Sequence, residues 1–389
     1  MNPDLDRQPF EGGQRAMRIS LALAALGLAG CFIGLFVDAR QTLAAWLIAW
    51  FFAATVALGL LAFVLAGYIM NAVWPTTVRR LAEAGFSSLA LLAALWVPLF
   101  WSIDRLYPWA HPERIADPRL RVILAHKAPI MNAPFFLVRA IVFVVLWVAA
   151  AEILRAASLR PRASKDRVRG FSSVALPLVG LTGTFAAFDQ LMSLSPDFYS
   201  TMYGLYLLAG GFVAAVGVVA VSAWLAQRAG RLVAVGVSHW YALGRLLFAF
   251  LIFWAYCGFF QYMLIWIANK PVEARFYIER FHRGDLATSW FLIVGHFAVP
   301  WLILMSYAVK RSRTWVAALG AWLVACHYVD VHWLVGANRG AAPWQWQDLP
   351  ALAAISGSAV AFALWRQRGQ LLVAVDDPDF AAGAAYESR

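Results

Sequence analysis

Long apolar segments separated by short polar loops dominate the hydropathy pattern of the 389-residue chain. A membrane-spanning helix needs about 20 mostly apolar residues. By that criterion the pattern predicts about ten spans, and no segment is typical of a separate soluble domain. The predicted spans are 17–37, 44–72, 86–104, 134–155, 171–190, 201–226, 241–268, 288–309, 314–335 and 349–366. The sequence therefore predicts an all-α integral membrane protein.

The composition supports this class. Hydrophobic residues make up 62% of the chain and charged residues only 14%, whereas soluble proteins are about 25% charged. The 19 tryptophans suit a membrane protein because Trp collects at bilayer interfaces. The net charge of +11 is what cytoplasmic loops accumulate, so we expect lipid contact and no nucleic-acid partner.

Three regions follow from the pattern: an N-terminal tail at 1–16, a transmembrane domain at 17–366 and a C-terminal tail at 367–389. No cleavable signal peptide is expected, because the polar start leads into an apolar run of spanning length. The C-terminal tail is rich in small residues and mildly acidic, which predicts a flexible end or a docking strap.

The orientation follows from the lysines and arginines in the loops. An even number of spans places both tails on one side, together with the Arg-rich loop at 155–169. The opposite loops carry fewer basic residues, and the longer ones, 104–133 and 270–288, also contain acidic residues. The positive-inside rule therefore predicts cytoplasmic termini.

The three cysteines, Cys31, Cys257 and Cys326, lie in separate apolar runs. No C-x-x-C pair occurs, which argues against iron–sulfur ligation, c-type haem attachment and a structural zinc site. We expect all three cysteines to serve ordinary packing.

Five polar side chains fall inside predicted spans at a similar depth, in the outer half of the bilayer. Such groups are costly in a membrane, which makes each a functional candidate for a proton path or a quinone site. They are Asp189, Gln261, His296, His327 and Asp330.

The spacing within the ninth predicted span is informative. His327 and Asp330 are three residues apart, so they share one helix face, and the carboxyl can fix the imidazole tautomer. The pair suits a proton carrier or a hydrogen-bonding pair for a quinol. His332 lies two residues beyond Asp330, points the other way and is predicted to lie near the outer interface.

His296 is followed four residues later by Pro300. A proline cannot donate to the carbonyl four residues back, so we expect a kink that frees the His296 carbonyl for water or a polar ligand. Four alternatives stay open for these polar groups: hydrogen bonds between helices, proton transfer, a quinone head-group site, or a haem b held by His296 and His327. Gly295 is the only close small-residue feature that favours haem.

Two further patterns concern packing. Arg139 and Arg245 lie near helix ends and are predicted to extend to the membrane interface. Gly210, Ala214 and Gly217 recur at helical spacing, which predicts close contact between helices.

Several blocks resemble a known family. They are "VRRLAEA" at 78–84, "HKAPIMNAPFFLVRA" at 126–140 and long segments at 187–211, 246–277 and 292–335. In order and spacing they resemble the ActF-type membrane subunit of bacterial alternative complex III, which is similar to the NrfD-like subunits of polysulfide reductase. The resemblance covers roughly residues 45–335, and the two ends match weakly.

The resemblance implies two four-helix bundles with flanking helices, in a bacterial cytoplasmic membrane. It implies a subunit of a quinol:cytochrome c or quinol:terminal oxidase oxidoreductase that has no redox centre of its own. Quinol, haem c and iron–sulfur clusters are expected in the partner subunits. These partners are an ActC-like quinol-binding subunit, a multihaem cytochrome c, an iron–sulfur subunit and a terminal oxidase. Positions 104–133 and 270–288 would dock the extracytoplasmic subunits.

The family also carries polar residues that are proposed as a proton route, and the matching positions here are Asp189, His296, His327 and Asp330. A standalone secondary transporter is the alternative, since polar residues and prolines within spans suit transporters. The two halves of the chain nevertheless lack paired Gly- or Pro-interrupted spans at matching positions.

Overall fold

The computed structural model describes residues 6–160, 164–282, 286–339 and 344–388. Across these residues the regular structure is helical, with no strand, and the predicted all-α class is confirmed. Within the described ranges, nine helices are long and apolar enough to cross a membrane, and a bent pair brings the total to ten. They are α1 (Gln14–Val37), α2 (Ala39–Ile69), α3 (Arg79–Leu95 with Val97–Leu106), α4 (Ala133–Ser158), α5 (Lys165–Gln190), α6 (Met202–Arg228), α7 (Val237–Ala268), α8 (Leu286–Met305), α9 (Arg313–Gly336) and α10 (Asp348–Gln367).

Helix α3 differs from the straight span predicted at 86–104. It starts earlier, at Arg79, and its two pieces meet at an angle of 47°. Pro98 stands at the start of the second piece, where its ring and missing N–H interrupt the helical hydrogen bonds. The sequence therefore located the span but not its bend.

Helix α2 lies at the centre of the molecule, with 94% of its most apolar window buried. It contacts α3 and α5 on one side and α6, α9 and α10 on the other. Helices α2–α5 form one group of four and α6–α9 a second, while α1 and α10 pack against each other at the flank. This grouping agrees with two four-helix bundles plus flanking helices.

Glycines allow the helix backbones to touch, as the small-residue pattern predicts. A Cβ on Gly217 of α6 would lie 2.6 Å from the carbonyl oxygen of Gly320 on α9. A Cβ on Gly59 of α2 would lie 2.7 Å from the carbonyl oxygen of Gly211 on α6. These contacts bring α2, α6 and α9 together around a common interior.

The two tails lie on one face, as an even number of spans requires. Asp6 accepts hydrogen bonds from the backbone N–H groups of Leu232 (2.7 Å) and Val233 (2.9 Å). The N–H of Phe10 donates to the carbonyl of Gln370 at 2.8 Å. We call this side the terminal face, and we call the opposite side, which carries the helices Pro118–Lys127 and Pro271–His282, the loop face.

The C-terminal tail packs against the terminal face and is a strap. Asp377 pairs with Arg79 at 2.8 Å, and Asp379 pairs with Lys165. Nε2 of His239 donates to the carbonyl of Gly383 at 2.9 Å. Of the two predictions for this tail, the strap is therefore confirmed for the described residues.

Candidate functional site

A buried carboxyl lies where α6, α7 and α9 meet. The Asp330 side chain is fully buried. Its Oδ1 accepts a hydrogen bond from the Tyr206 hydroxyl, and its Oδ2 accepts one from Nε1 of Trp254 at 2.9 Å. The rings of Tyr206 and Trp254 are stacked with their centroids 5.5 Å apart. Both carboxyl oxygens are thus held by neutral donors on two other helices.

His327 lies beside this carboxyl, as the three-residue spacing predicts. Its Nδ1 is 3.9 Å from Oδ2 of Asp330, and its Nε2 is 2.8 Å from the hydroxyl oxygen of Thr55 on α2. The Thr55 hydroxyl also donates to the carbonyl of Phe51 at 2.7 Å. Because that hydroxyl has one proton, the arrangement that satisfies both contacts places the imidazole hydrogen on Nε2. The lone pair of Nδ1 then faces Asp330.

His296 completes the group from α8. It is fully buried, and its ring centroid lies 3.9 Å from that of Trp254. Neither ring nitrogen has a hydrogen-bond partner among the described residues. The indole of Trp254 therefore separates two titratable side chains, with Asp330 at its N–H and His296 on its face.

The predicted irregularity at Pro300 is present, in a different form. Residues Leu292–Ala298 form a π-helical segment that contains His296. In π geometry the N–H of residue 300 would reach the carbonyl of Gly295, and proline has no N–H to donate. Nε1 of Trp322 donates to that carbonyl instead, at 2.8 Å. The carbonyl that gains a side-chain donor is thus that of Gly295, and the freed carbonyl at His296 stays a prediction.

Gln261 lies two helical turns from Trp254 on α7, toward the loop face. Its Nε2 donates to the Tyr277 hydroxyl at 3.0 Å, and its Oε1 has no partner among the described residues. The Tyr203 hydroxyl, one turn before Tyr206 on α6, is likewise buried without a described partner. Neither Tyr203 nor Tyr206 was among the predicted site residues, although their three-residue spacing places them on one helix face.

Asp189 does not belong to this group. It lies on α5 in the other bundle, where it forms a two-point ion pair with Arg139 of α4: Nε to Oδ2 at 2.5 Å and Nη2 to Oδ1 at 3.1 Å. The extension of Arg139 to the membrane interface stays a prediction, and its guanidinium is paired with this carboxyl. Arginine matches carboxylate geometry with two parallel hydrogen bonds, and this pair links α4 to α5.

His332 was predicted to lie at the interface, but it is fully buried in an ion cluster. Its Nε2 is 3.3 Å from Oδ2 of Asp348, and Nη1 of Arg339 is 2.7 Å from Oδ1 of the same carboxyl. The ring of Trp344 stacks on His332 with centroids 3.6 Å apart. Arg339 and Asp348 are nine residues apart on either side of a loop, and the spacing alone does not show that they face each other.

The packing around His296 and His327 limits what can bind there. Trp254 covers His296, and Thr55 engages Nε2 of His327, so the arrangement does not fit a haem ligated by both imidazoles. Among the described residues, no group of three or more His, Cys, Asp or Glu side chains is arranged for a metal ion. The arrangement of Asp330 beside His327 suits exchange of protons.

No family model matches the chain, and no curated protein matches it. The resemblance in the sequence blocks and the geometry of the buried group are therefore the two grounds for a functional proposal. The geometry bears on the chemistry of the site, and the resemblance bears on the partners.

Proposed function

We propose that the chain is an ActF-type membrane subunit of a bacterial quinol-oxidising complex, and that Asp330 and its neighbours carry protons. The observation that carries the proton role is the burial of Asp330 between the neutral donors Tyr206 and Trp254, with Nδ1 of His327 at 3.9 Å. An ionisable group is costly inside a membrane protein and commonly marks a proton route.

The contacts support both charge states of the carboxyl. The Tyr206 and Trp254 donors stabilise the carboxylate when the proton leaves, because hydrogen bonds to an ionised acceptor are strong. Nδ1 of His327 accepts that proton, and the product is an imidazolium that keeps its Nε2 hydrogen bond to Thr55. The separation of 3.9 Å is longer than a hydrogen bond, so the transfer proceeds through one water molecule or a small rotation of Asp330.

The redox chemistry of the proposed complex belongs to its partners. Quinol oxidation is assigned to an ActC-like subunit, and haem c and iron–sulfur clusters to extracytoplasmic subunits, with an optional terminal oxidase. The loop face supports such docking, because the helix Pro118–Lys127 exposes Val122 and the helix Pro271–His282 exposes Arg275. Lipid contact alone does not require structured, mixed-charge loops.

The partner assignment is tested by purifying the tagged full-length chain from gently solubilised membranes and identifying its partners by mass spectrometry. Recovery with a multihaem cytochrome, an iron–sulfur protein and a second multi-span subunit is the expected result. Recovery of the chain alone, or only as a homo-oligomer, would overturn the subunit proposal and favour the transporter alternative.

The proton role is tested in the intact complex with Asp330→Asn, which keeps the size of the side chain and removes the ionisable proton. Quinol oxidation and proton release should both fall by about 100-fold or more, the typical contribution of one proton-transfer group. Asp189→Asn is the matched control, because Asp189 pairs with Arg139 in the other bundle, and it should leave proton release near the wild-type rate. If the Asp330→Asn complex assembles and releases protons at the wild-type rate, Asp330 has no role in proton transfer.

A further inference from the structure

The interior differs on the two sides of Asp330. Toward the loop face it contains polar side chains. Tyr203 lies one turn from Tyr206 on α6, and Gln261 lies about 10 Å along α7 from Trp254 at 1.5 Å per residue. Tyr206 in turn donates to Oδ1 of Asp330.

These polar groups form a series that runs from the interior toward the protein surface. Gln261 donates to the Tyr277 hydroxyl at 3.0 Å, and the ring of Tyr277 packs against Tyr262 with centroids 5.1 Å apart. Tyr262 is 39% exposed, so the series reaches the outer surface of α7, six residues before that helix ends at Ala268 on the loop face. The Tyr203 hydroxyl and Gln261 Oε1 both have unused hydrogen-bonding capacity among the described residues. Buried polar atoms of this kind are commonly bridged by internal water.

Toward the terminal face the interior is apolar. Every buried residue of α6 from Ala209 to Ala223 is apolar or glycine. The buried residues of α9 from Val316 to Leu323 are of the same kind. Between His327 with its neighbour Cys326 and the terminal face, the buried residues of these two helices therefore include no ionisable side chain.

A direct backbone contact closes this side. Gly217 and Gly320 are each seven residues from the pair Gly210 and His327, which places them about 10 Å nearer the terminal face. A Cβ on Gly217 would lie 2.6 Å from the Gly320 carbonyl oxygen, and a Cβ on Gly320 would lie 2.9 Å from the Gly217 Cα. Two backbones this close leave no space for water between them.

We infer that Asp330 exchanges protons with the loop face alone, by way of Tyr203, Tyr277 and Gln261, and that the Gly217–Gly320 contact seals the terminal face. This inference rests on the proposed proton role of Asp330. The chain then contains a proton route through only one half of the membrane. Transfer across the whole membrane would require a partner subunit or a separation of α6 from α9. The titratable or charged groups around Asp330 among the described residues are Tyr203, Tyr206, Tyr277, Arg280, His296, Cys326 and His327.

One-sided access can be measured with dicyclohexylcarbodiimide, which is membrane-permeant and modifies protonated carboxyls in apolar surroundings. The carboxyl proton moves to a carbodiimide nitrogen and the carboxylate oxygen adds to the central carbon. Rearrangement to the N-acylurea then gives a stable adduct that contains all atoms of both reactants. The full-length chain is placed in sealed vesicles of known orientation, and the adduct on the Asp330 peptide is quantified by mass spectrometry after the pH is changed on one side.

Labelling should change several-fold when the pH is changed at the loop face, and it should stay constant when only the terminal face is changed. Labelling that follows the terminal-face pH, that follows both sides equally, or that never occurs would overturn the inference. Asp330→Asn identifies the labelled residue, and an adduct persisting on that peptide would also contradict the assignment.

Conservative variants of the route provide a second measurement. Tyr203→Phe and Gln261→Leu each remove polar atoms and keep most of the side-chain volume. Both should slow the response of labelling to a loop-face pH jump, while Phe253→Leu, on the same helix as Gln261 but outside the polar series, should not. An unchanged response in both polar variants would contradict the route.

The labelling result is separable from the proposed function. If labelling responds only to the loop-face pH but Asp330→Asn releases protons normally, the access route stands and the role of Asp330 in turnover does not. If labelling responds to the pH on both sides and Asp330→Asn loses proton release, the proton role of Asp330 stands and the Gly217–Gly320 contact is not a seal.

Discussion

Gly210 of α6 lies against the imidazole of His327 on α9: a Cβ on this glycine would stand 2.8 Å from Nδ1. The same Cβ would stand 3.2 Å from Cδ1 of Trp254. A glycine at this point therefore makes room for two of the side chains that surround Asp330. The position of His327 depends on a residue that has no side chain of its own.

Replacing this glycine should disturb the site directly. Gly210→Ala introduces a methyl group where His327 and Trp254 already sit, and we expect the folded protein to lose about 1–3 kcal/mol, the usual cost of overpacking. Thermal unfolding in detergent measures the loss.

Gly180→Ala is the matched control, because a Cβ at Gly180 of α5 has no heavy atom within 4 Å. That variant should be neutral, or more stable by up to about 1 kcal/mol from helix propensity. Equal stability of the two variants would contradict the packing argument.

The sequence predicted those parts of this arrangement that depend on one helix at a time. The spans follow from apolar length, and the shared face of His327 and Asp330 follows from their spacing. The convergence with His296 was inferred only from depth. Pairing between helices far apart in sequence was not predictable, because the pattern does not say which faces meet. For that reason Asp189 was grouped with the site although Arg139 neutralises it, and the donors Tyr206 and Trp254 were missed.

Removing one partner of the buried ion pair between Arg339 and Asp348 should destabilise the protein strongly. Its side chains are 1% and 2% exposed, and Nε of Arg339 also donates to Oε1 of Gln41 at 2.9 Å. Arg339→Met leaves the carboxylate without its cation, and we expect a loss of about 3–5 kcal/mol in unfolding free energy.

The Lys165–Asp379 pair offers the comparison, since its side chains are 42% and 24% exposed. Lys165→Met should cost about 0–1 kcal/mol, the range for exposed pairs. Adding Asp348→Leu to Arg339→Met should recover part of the loss, because the buried charge is then removed. A double variant less stable than Arg339→Met would argue against charge burial as the cause.

Asp197, in the loop before α6, should make stability depend on pH. Burial raises the pKa of its carboxyl, although the backbone and Arg275, at 3.8 Å, oppose the shift. The folded protein then binds this proton more tightly than the unfolded chain, so the contribution to stability is present at low pH and is lost as the pH rises through the raised pKa. Asp197→Asn should raise the melting temperature relative to wild type above that range and not below it. A difference that is constant with pH would exclude this linkage.

Trp322 supports the π-helical segment from the side. Its ring is 43% exposed and packs against Phe291 with centroids 5.8 Å apart, while its N–H reaches the Gly295 carbonyl at 2.8 Å. Trp322→Phe keeps an aromatic ring in this place and removes the donor. The Gly295 carbonyl then lacks the Pro300 N–H and the indole donor and keeps only the weak Cys326 thiol at 4.0 Å. The loss should be about 0.5–1.5 kcal/mol, the net contribution of one hydrogen bond.

The loss should be local, because the segment Leu292–Ala298 holds His296 against Trp254. We expect faster hydrogen exchange of the amides in this segment, measured by mass spectrometry, and little change in α6. Trp315→Phe is the control: Trp315 is on the same helix and 53% exposed, so its replacement should leave exchange at Leu292–Ala298 unchanged. If both variants exchange at the wild-type rate, the indole hydrogen bond does not hold the segment, and packing of His296 on Trp254 must be sufficient to do so.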